Sequence, residues 1–242
     1  NELDTIREKN FDFFEKKGFP SKKDESWKYT DFKNIFDNAF NKVEILGKKS
    51  SNYNSEWLIK DFDHNQIILL NGHFIKSNFI FEDINKIDIN PLSKFLKNKK
   101  DFEKIKNFFS QKKNSLESLN HALANDGIIL EVKNGYLFKK PLIIYNFFDQ
   151  DSENKIITNK FFIFLGENAC LNILEYYKSE NNTKYFNNVT HNYSIKKNSI
   201  FKKFIVNNNL DNSYNYHLTN IKSYSNSIFE NFLFSSGSNF IK

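Results

Sequence analysis

The sequence predicts a mainly β protein of the α+β class, in which a helical N-terminal region precedes a β-solenoid core. One observation is a change in apolar spacing, from a helical period to short β-type runs, which divides the chain into domains 1–125 and 126–242. The other is an internal repeat in the second part. Its copies begin at Asn168, Asn198 and Asn226, with spacings of 30 and 28 residues. Repeats of this length are typical of solenoids.

Two helices are predicted in the first forty residues. The stretch NELDTIREKNFDFF has apolar residues near helical spacing and predicts a helix over 3–17, which Gly18 and the following proline end. The stretch TDFKNIFDNAF places its apolar residues on one stripe and predicts a helix over 30–40. Thr30 or Asp31 is its expected N-cap, because both side chains can accept a hydrogen bond from the first turn.

A hairpin and a third helix complete the first part. The stretch NQIILLNGHFIKSNFIF consists of two apolar runs around Asn-Gly and predicts a β-hairpin. After Pro91 the helical period returns, and NSLESLNHALANDG predicts a helix over 114–125. Asn114 and Glu117 have the spacing of a capping box, and Gly127 is expected to end the helix.

The repeat predicts the core of the second part. The copies NSIFKKFIV and NSIFENFLF align Ile200 with Ile228 and Phe201 with Phe229, and the weaker copy NACLNILEY places Cys170 at the first of these positions. Each copy follows another β-type run, with an asparagine that tolerates the left-handed turn between them. Such a unit buries its apolar face only by stacking. We therefore expect the two phenylalanines to stack inside a solenoid; an antiparallel meander is the alternative.

Composition and charge restrict function only weakly. The net charge is +6 and the pI is about 9.0, which permits nucleic-acid binding without indicating it, and the lysines are scattered among acidic residues. The N-terminus lacks the apolar segment of a signal peptide, and no apolar run is long enough for a membrane helix. We expect neither a nucleic-acid nor a membrane partner. The chain begins with Asn1 and contains no Met, so we interpret it as a fragment.

A search for catalytic and ligand-binding motifs gives no candidates. Phosphate-binding glycine loops and HExxH are absent from the sequence, and no histidine has a second ligand at metal-binding spacing. Cys170 occupies an apolar repeat position, so we expect a buried core residue rather than a reactive thiolate. We predict no catalytic, cofactor-binding or metal-binding residue, and no enzyme. The histidines interpreted as ordinary surface or core residues are His64, His73, His121, His191 and His217.

The segment GFPSKKDESWKYTDFKNI resembles the opening of the SufB/SufD family of the SUF iron–sulfur cluster assembly machinery. IILLNGHF, LESLNHALANDGIILEV and KKPLIIYNFF are similar to successive segments of that family. LGENACLNILEYY and YHLTNIKSYSNSIFENFLFSSG resemble turns of its β-helix. The resemblance covers essentially the whole chain in family order, and the WKYTD motif favours the SufD branch over the SufB branch. Trp27 is expected to anchor the helical region through a buried ring, with a partner contact by Trp27 and Tyr29 as the alternative.

The resemblance implies a right-handed parallel β-helix that is incomplete at its C-terminus. It also implies a scaffold subunit that acts with a SufB-like paralogue and a SufC-like ATPase, in the bacterial cytoplasm or a plastid-type organelle. The family's cluster-site histidine and SufC-binding helices lie in a section with no counterpart here, so no cluster-site residue is transferred. We expect that the isolated chain supports no cluster assembly and binds no Fe–S cluster, the cluster forming transiently in the complex.

Two further expectations concern association and an unrelated function. A solenoid that is cut within its stack exposes unpaired backbone groups, so we expect either self-association through that end, as a homodimer, or weak solubility. The alternative function is a carbohydrate-active β-solenoid, such as a polysaccharide lyase. That chemistry needs clustered acidic residues on one face, and the outward repeat positions are mostly Lys, Asn and Tyr.

Overall fold

The computed structural model describes residues 2–47, 52–109, 114–181, 183–208 and 212–242. The helices in these residues are α1 (Glu2–Lys17), α2 (Phe32–Ala39), α3 (Leu92–Lys97), α4 (Lys99–Ile105) and α5 (Ser115–Leu123). The predicted helices over 3–17, 30–40 and 114–125 are therefore confirmed to within about two residues at each end. No helix in the described part of the chain combines the length and apolar character that a membrane crossing requires.

Strands dominate from residue 126 onward, as predicted. The strands before that point are β1 (Glu44–Ile45), β2 (Asn65–Leu70), β3 (His73–Asn78) and β4 (Ile87–Pro91). Those after it are β5 (Asp126–Val132), β6 (Leu142–Phe148), β7 (Lys155–Leu165), β8 (Cys170–Ser179), β9 (Tyr185–Ile195), β10 (Ile200–Asn208), β11 (Ser213–Ser223), β12 (Ile228–Ser236) and β13 (Phe240–Ile241).

The strands after residue 126 form a parallel β-solenoid. The chain alternates between two sheets, because β5, β7, β9, β11 and β13 pair in sheet A and β6, β8, β10 and β12 pair in sheet B. In the described residues the coils are β5–β6, β7–β8, β9–β10 and β11–β12, which we number one to four. This confirms the solenoid and excludes the antiparallel meander, whereas the handedness stays a prediction.

The strand register reproduces the sequence repeat. Phe201 pairs with Phe229, and the column of Ile200 and Ile228 continues to Cys170 in the second coil. The rings of Phe201 and Phe229 lie 5.4 Å apart between centroids, which confirms the predicted stack. The asparagines that open the three copies have φ angles of 54°, 57° and 56° and are linked by side-chain hydrogen bonds of 3.1 and 3.4 Å.

The predicted hairpin extends sheet B. β2 and β3 pair antiparallel around Asn71 and Gly72, whose φ angles are 51° and 82°, as a hairpin turn of this type requires. β2 also pairs in parallel with β6, and β4 pairs antiparallel with β5. Both sheets therefore include strands from the first 125 residues, and the division into domains at residue 125 remains a prediction.

Gly127 does not end the third helix, contrary to the prediction. α5 ends at Leu123, and Gly127 lies inside β5 with a φ of +139°. A Cβ at this position would lie 2.0 Å from the carbonyl oxygen of Lys160 on β7. The glycine is therefore required where β5 approaches β7, in a backbone conformation that other residues rarely adopt.

The helices pack on the outer face of sheet A. Asp31 caps α2 by accepting a hydrogen bond from the backbone of Asn34, as expected. Asn114 caps α5 in the same way, with the backbone nitrogen of Glu117 at 2.9 Å from its side-chain oxygen. The apolar cluster beneath these helices contains residues from both layers, including Trp27, Phe32, Leu116, Leu119, Phe186 and Tyr216.

Candidate functional site in two buried polar clusters

The interior of the solenoid contains charged side chains in its second and third coils, whereas the interior of its first coil is apolar. Strand alternation points every second residue inward, so Glu175 shares the inward face of β8 with Leu171 and Ile173. Lys203 shares the inward face of β10 with Phe201 in the same way. We call Glu175, Tyr177, His191, Tyr193, Lys203 and His217 the ionic core.

Glu175 is the centre of the ionic core. One of its carboxylate oxygens lies 3.0 Å from Lys203 Nζ, and the other lies 3.0 Å from His191 Nε2. The hydroxyl groups of Tyr177 and Tyr193 donate to the same carboxylate at 3.1 and 3.4 Å. All three ionisable side chains at the centre are fully buried. Three hydrogen-bonding side chains and the ion pair with Lys203 compensate the cost of removing the carboxylate charge from water.

The surroundings set the charge state of this cluster. Burial alone would raise the pKa of Glu175, but His191 and Lys203 outweigh burial and hold that pKa well below its usual range. Burial lowers the pKa of Lys203, and the Glu175 carboxylate opposes that change. Burial also lowers the pKa of His191. Glu175 is therefore ionised at neutral pH, with Lys203 as its ion-pair partner and His191 within hydrogen-bond distance of its carboxylate.

His217 extends the ionic core into the fourth coil. Its ring stacks on that of His191, with centroids 5.9 Å apart and an angle of 7° between the planes. Burial, reinforced by His191 and Lys203, lowers the pKa of His217 to about 3. Neither of its ring nitrogens has a hydrogen-bond partner in the described part of the chain. His217 is therefore neutral over the physiological pH range.

The ionic core was missed by the sequence analysis, which treated His191 and His217 as ordinary histidines. The signal that could have found it is alternation, because Lys203 follows Phe201 by two residues and Glu175 follows Ile173 by two. Within the described ranges, no group of three or more His, Cys, Asp or Glu side chains is arranged to hold a metal ion. The geometry is that of a neutralised, enclosed charge cluster.

Cys170 does not lie in the solenoid core, contrary to the prediction. Its column contains Ile200 and Ile228, and the latter is 47% exposed, so this column faces outward from sheet B. Cys170 itself is half-buried and unpaired as a thiol. Burial raises its pKa, and the charge of Lys202 opposes that change. The prediction failed because an apolar repeat position need not face inward: strand alternation places Cys170 on the face opposite to the inward-pointing Leu171.

A second polar cluster lies between α5 and the outer face of sheet A. The side-chain amide of Asn120 donates to the backbone carbonyls of Asn159 and Asn188 at 3.0 and 2.7 Å. The amide of Asn188 donates back to the Leu116 carbonyl at 2.8 Å. Asn220 of β11 donates to the Glu117 carboxylate at 3.1 Å. We call this contact the α5 seam; it joins the helices to three strands of the solenoid.

Three ionisable groups form a row within the α5 seam. Lys160 Nζ lies 2.6 Å from His121 Nδ1, and His121 Nε2 lies 3.8 Å from a carboxylate oxygen of Glu117. All three side chains are fully buried. Phe109 covers the row, with its ring centroid 4.9 Å from Lys160 Nζ. Burial lowers the pKa of Lys160 to about 7, although the Glu117 charge opposes the change.

The remaining histidines have ordinary structural contacts. His64 Nδ1 lies 2.8 Å from the Phe62 carbonyl oxygen, and His64 Nε2 lies 2.8 Å from the Tyr145 hydroxyl. His73 lies 3.7 Å from the Asp126 carboxylate. These contacts agree with the interpretation of both residues as ordinary core or surface histidines.

The tryptophan of the WKYTD segment is buried against the last coil. Trp27 is 2% exposed, and its ring lies 5.8 Å from that of Tyr216 and 6.3 Å from that of Phe240. Lys242 Nζ lies 4.3 Å from the centroid of the Trp27 ring and donates to the backbone carbonyl of Ser26. The predicted anchor is confirmed. Tyr29, by contrast, is 87% exposed, and a partner contact at this residue stays a prediction.

Residues 1–144 match a protein-family model described as the SufBD protein N-terminal region. The chain belongs to the SufB/SufD family. No curated protein sequence matches it at a significant level. The family region contains Trp27, the β2–β3 hairpin and the whole of α5, so the helical half of the α5 seam lies within it. The ionic core lies in residues after that region.

Proposed function

We propose that the chain is a SufD-type scaffold subunit of an iron–sulfur cluster assembly complex. The observation that carries the proposal is the family match over residues 1–144. The WKYTD segment favours the SufD branch over the SufB branch, and its Trp27 fastens the N-terminal region to the fourth coil. In this proposal the subunit acts with a SufB-like paralogue and a SufC-like ATPase, in the bacterial cytoplasm or a plastid-type organelle.

The role we propose is non-catalytic. Both polar clusters are enclosed by the fold, which supports a structural rather than a catalytic use of their charges. Iron and sulfide are the cargo of the complex, and a single half-buried thiol at Cys170 supplies too few ligands for a cluster on this chain alone. The cluster would then form only where the partner subunits contribute ligands.

The test is purification of the native gene product through an N-terminal tag, followed by identification of the proteins that accompany it. The proposal predicts a SufB-like paralogue and a SufC-like ATPase in fixed stoichiometry. Recovery with a SufD-like paralogue instead would assign this chain to the SufB branch. Recovery without either subunit would contradict the scaffold role.

A parallel measurement addresses the cargo. Anaerobic reconstitution with iron and sulfide should give visible cluster absorption in the purified complex and none in the isolated chain. A stoichiometric cluster on the isolated chain that is lost in Cys170→Ala would overturn the assignment.

A further inference from the structure

The α5 seam combines two features. It is the contact through which the helices are joined to the solenoid, and it buries three ionisable groups in one row, Glu117, His121 and Lys160. α1 is attached to α5, because the guanidinium of Arg7 in α1 donates to the backbone carbonyl of Ala124, the C-cap residue of α5, at 2.8 Å. A change in the charge of this row therefore acts on the attachment of two helices.

In the part of the chain that the structure describes, the side chains packed around the row from β9, β11 and Phe109 are uncharged at neutral pH. Thr190 of β9 lies beside Lys160 in the strand register, and Asn192 of β9 bonds with Asn220 of β11. Tyr216 of β11 bonds with Asn114, and the pKa of that tyrosine is raised by burial to about 12. On the other side Phe109 presents its ring. Glu117 and His121 are thus the titratable groups that face Lys160 from α5.

Burial makes protonation of Lys160 expensive while α5 is docked. A neutral amine can donate to His121 Nδ1, which leaves the His121 Nε2 proton directed toward Glu117. An extra proton places a positive charge in a site closed to water, where the Phe109 ring and the Glu117 carboxylate offset only part of the lost hydration. When α5 is undocked, water solvates the ammonium group. Proton uptake therefore favours the undocked arrangement.

We propose that Glu117, His121 and Lys160 form a proton-controlled latch between α5 and the solenoid, closed when the Lys160 amine is neutral and weakened when that amine is protonated. The latch goes beyond the scaffold role, and it gives the helical layer a pH-dependent attachment to sheet A. The amine carries a proton in the undocked state up to a pH near 10.5 and in the docked state only up to about 7. Between these values the equilibrium constant for docking increases as the pH rises, because undocking is coupled to the uptake of one proton.

The test is hydrogen–deuterium exchange of the backbone amides of α5 and β8 from pH 7 to pH 9, expressed as protection factors corrected for the intrinsic rate. The latch predicts that α5 is less protected than β8 at pH 7, because α5 opens locally. It also predicts that the protection of α5 rises about tenfold per pH unit. Equal protection of α5 and β8 at pH 7 would overturn the proposal without any variant.

Two variants assign the effect to the row. In Lys160→Met the protection of α5 should become independent of pH over this range, whereas Lys155→Met, on the same strand but paired with Glu44 at the surface, should retain the rise. If Lys160→Met does not fold, Glu117→Gln combined with Lys160→Met removes both charges and carries the same test. Persistence of the tenfold rise in either Lys160 variant would contradict the latch.

Discussion

The first and third coils of the solenoid fill equivalent positions with different chemistry. The inward column that contains Leu142 in the first coil and Ile173 in the second contains Lys203 in the third. Another inward column contains Phe161 in the second coil and the titratable His191 in the third. In the first coil apolar burial stabilises the stack, whereas in the third a buried charge needs a specific partner. The parallel register is the same in both coils, so the backbone pattern accepts either solution.

This difference predicts that substitutions in the two interiors reduce stability for different reasons. An apolar interior loses stability in proportion to the volume removed, because the neighbouring side chains collapse only partly into a cavity. An ionic interior loses most when a single partner is removed, because the remaining charge stays buried and uncompensated. Substitutions inside the solenoid therefore distinguish the two regions.

The largest effect is expected for Lys203→Met. This change leaves the Glu175 carboxylate fully buried without its counter-charge. We expect a loss of about 4–5 kcal/mol in the free energy of unfolding, at the upper end for a broken buried pair. Urea denaturation monitored by circular dichroism measures it. A loss below about 1 kcal/mol would show that the pair is not a coupled unit.

A somewhat smaller effect is expected for Phe201→Ala, which removes a fully buried ring from the apolar end of the third coil. We expect a loss of about 3–4 kcal/mol in the free energy of unfolding, within the range for buried phenylalanine. Phe229→Ala in the neighbouring coil is the matched control. Because Phe229 is only partly buried, its loss should be roughly half as large. Equal stability of both variants and the wild type in urea denaturation would exclude the aromatic stack as part of the core.

A pH effect is expected from His217. Its folded-state pKa of about 3 lies below the ordinary value of 6.5, so the unfolded chain binds more protons between these values. Stability contributed by this residue is present above pH 6.5 and is lost as the pH falls toward 3. Relative to His217→Phe, the wild type should lose up to about tenfold in its folding constant per pH unit below 6.5. Parallel stability curves for the two proteins between pH 4 and 8 would contradict this assignment.

Much of the fold follows from the sequence, and the failures have physical reasons. Repeat spacing fixes the stacking of coils, so the register of Phe201 with Phe229 could be predicted. The expectation that Cys170 lies inside overlooks strand alternation, because Cys170 shares the column of Ile200, next to the inward Phe201, and so faces outward. The sequence predicts that Gly127 ends a helix. Its actual role depends on a close contact with Lys160 of β7, which is distant in the sequence and leaves no local pattern.

The candidate site was harder to predict than the fold. Lys203 is adjacent to Lys202 in the sequence, and only the inward alternation with Phe201 distinguishes the buried lysine from the partly exposed one. The row in the α5 seam requires α5 and β7 to meet, and His121 and Lys160 are 39 positions apart in the chain. No local sequence pattern predicts a contact between residues that far apart in the chain.

The most direct test of the ionic core is a double-mutant cycle on Glu175 and Lys203, measured as free energies of unfolding in urea at pH 7. The variants are Glu175→Gln, Lys203→Met and the two combined. Because Glu175→Gln removes the charge that Lys203→Met leaves uncompensated, the combined variant should be more stable than Lys203→Met alone. If the combined variant instead loses the sum of the two single losses, Glu175 and Lys203 act independently, and the ionic core is not a coupled unit.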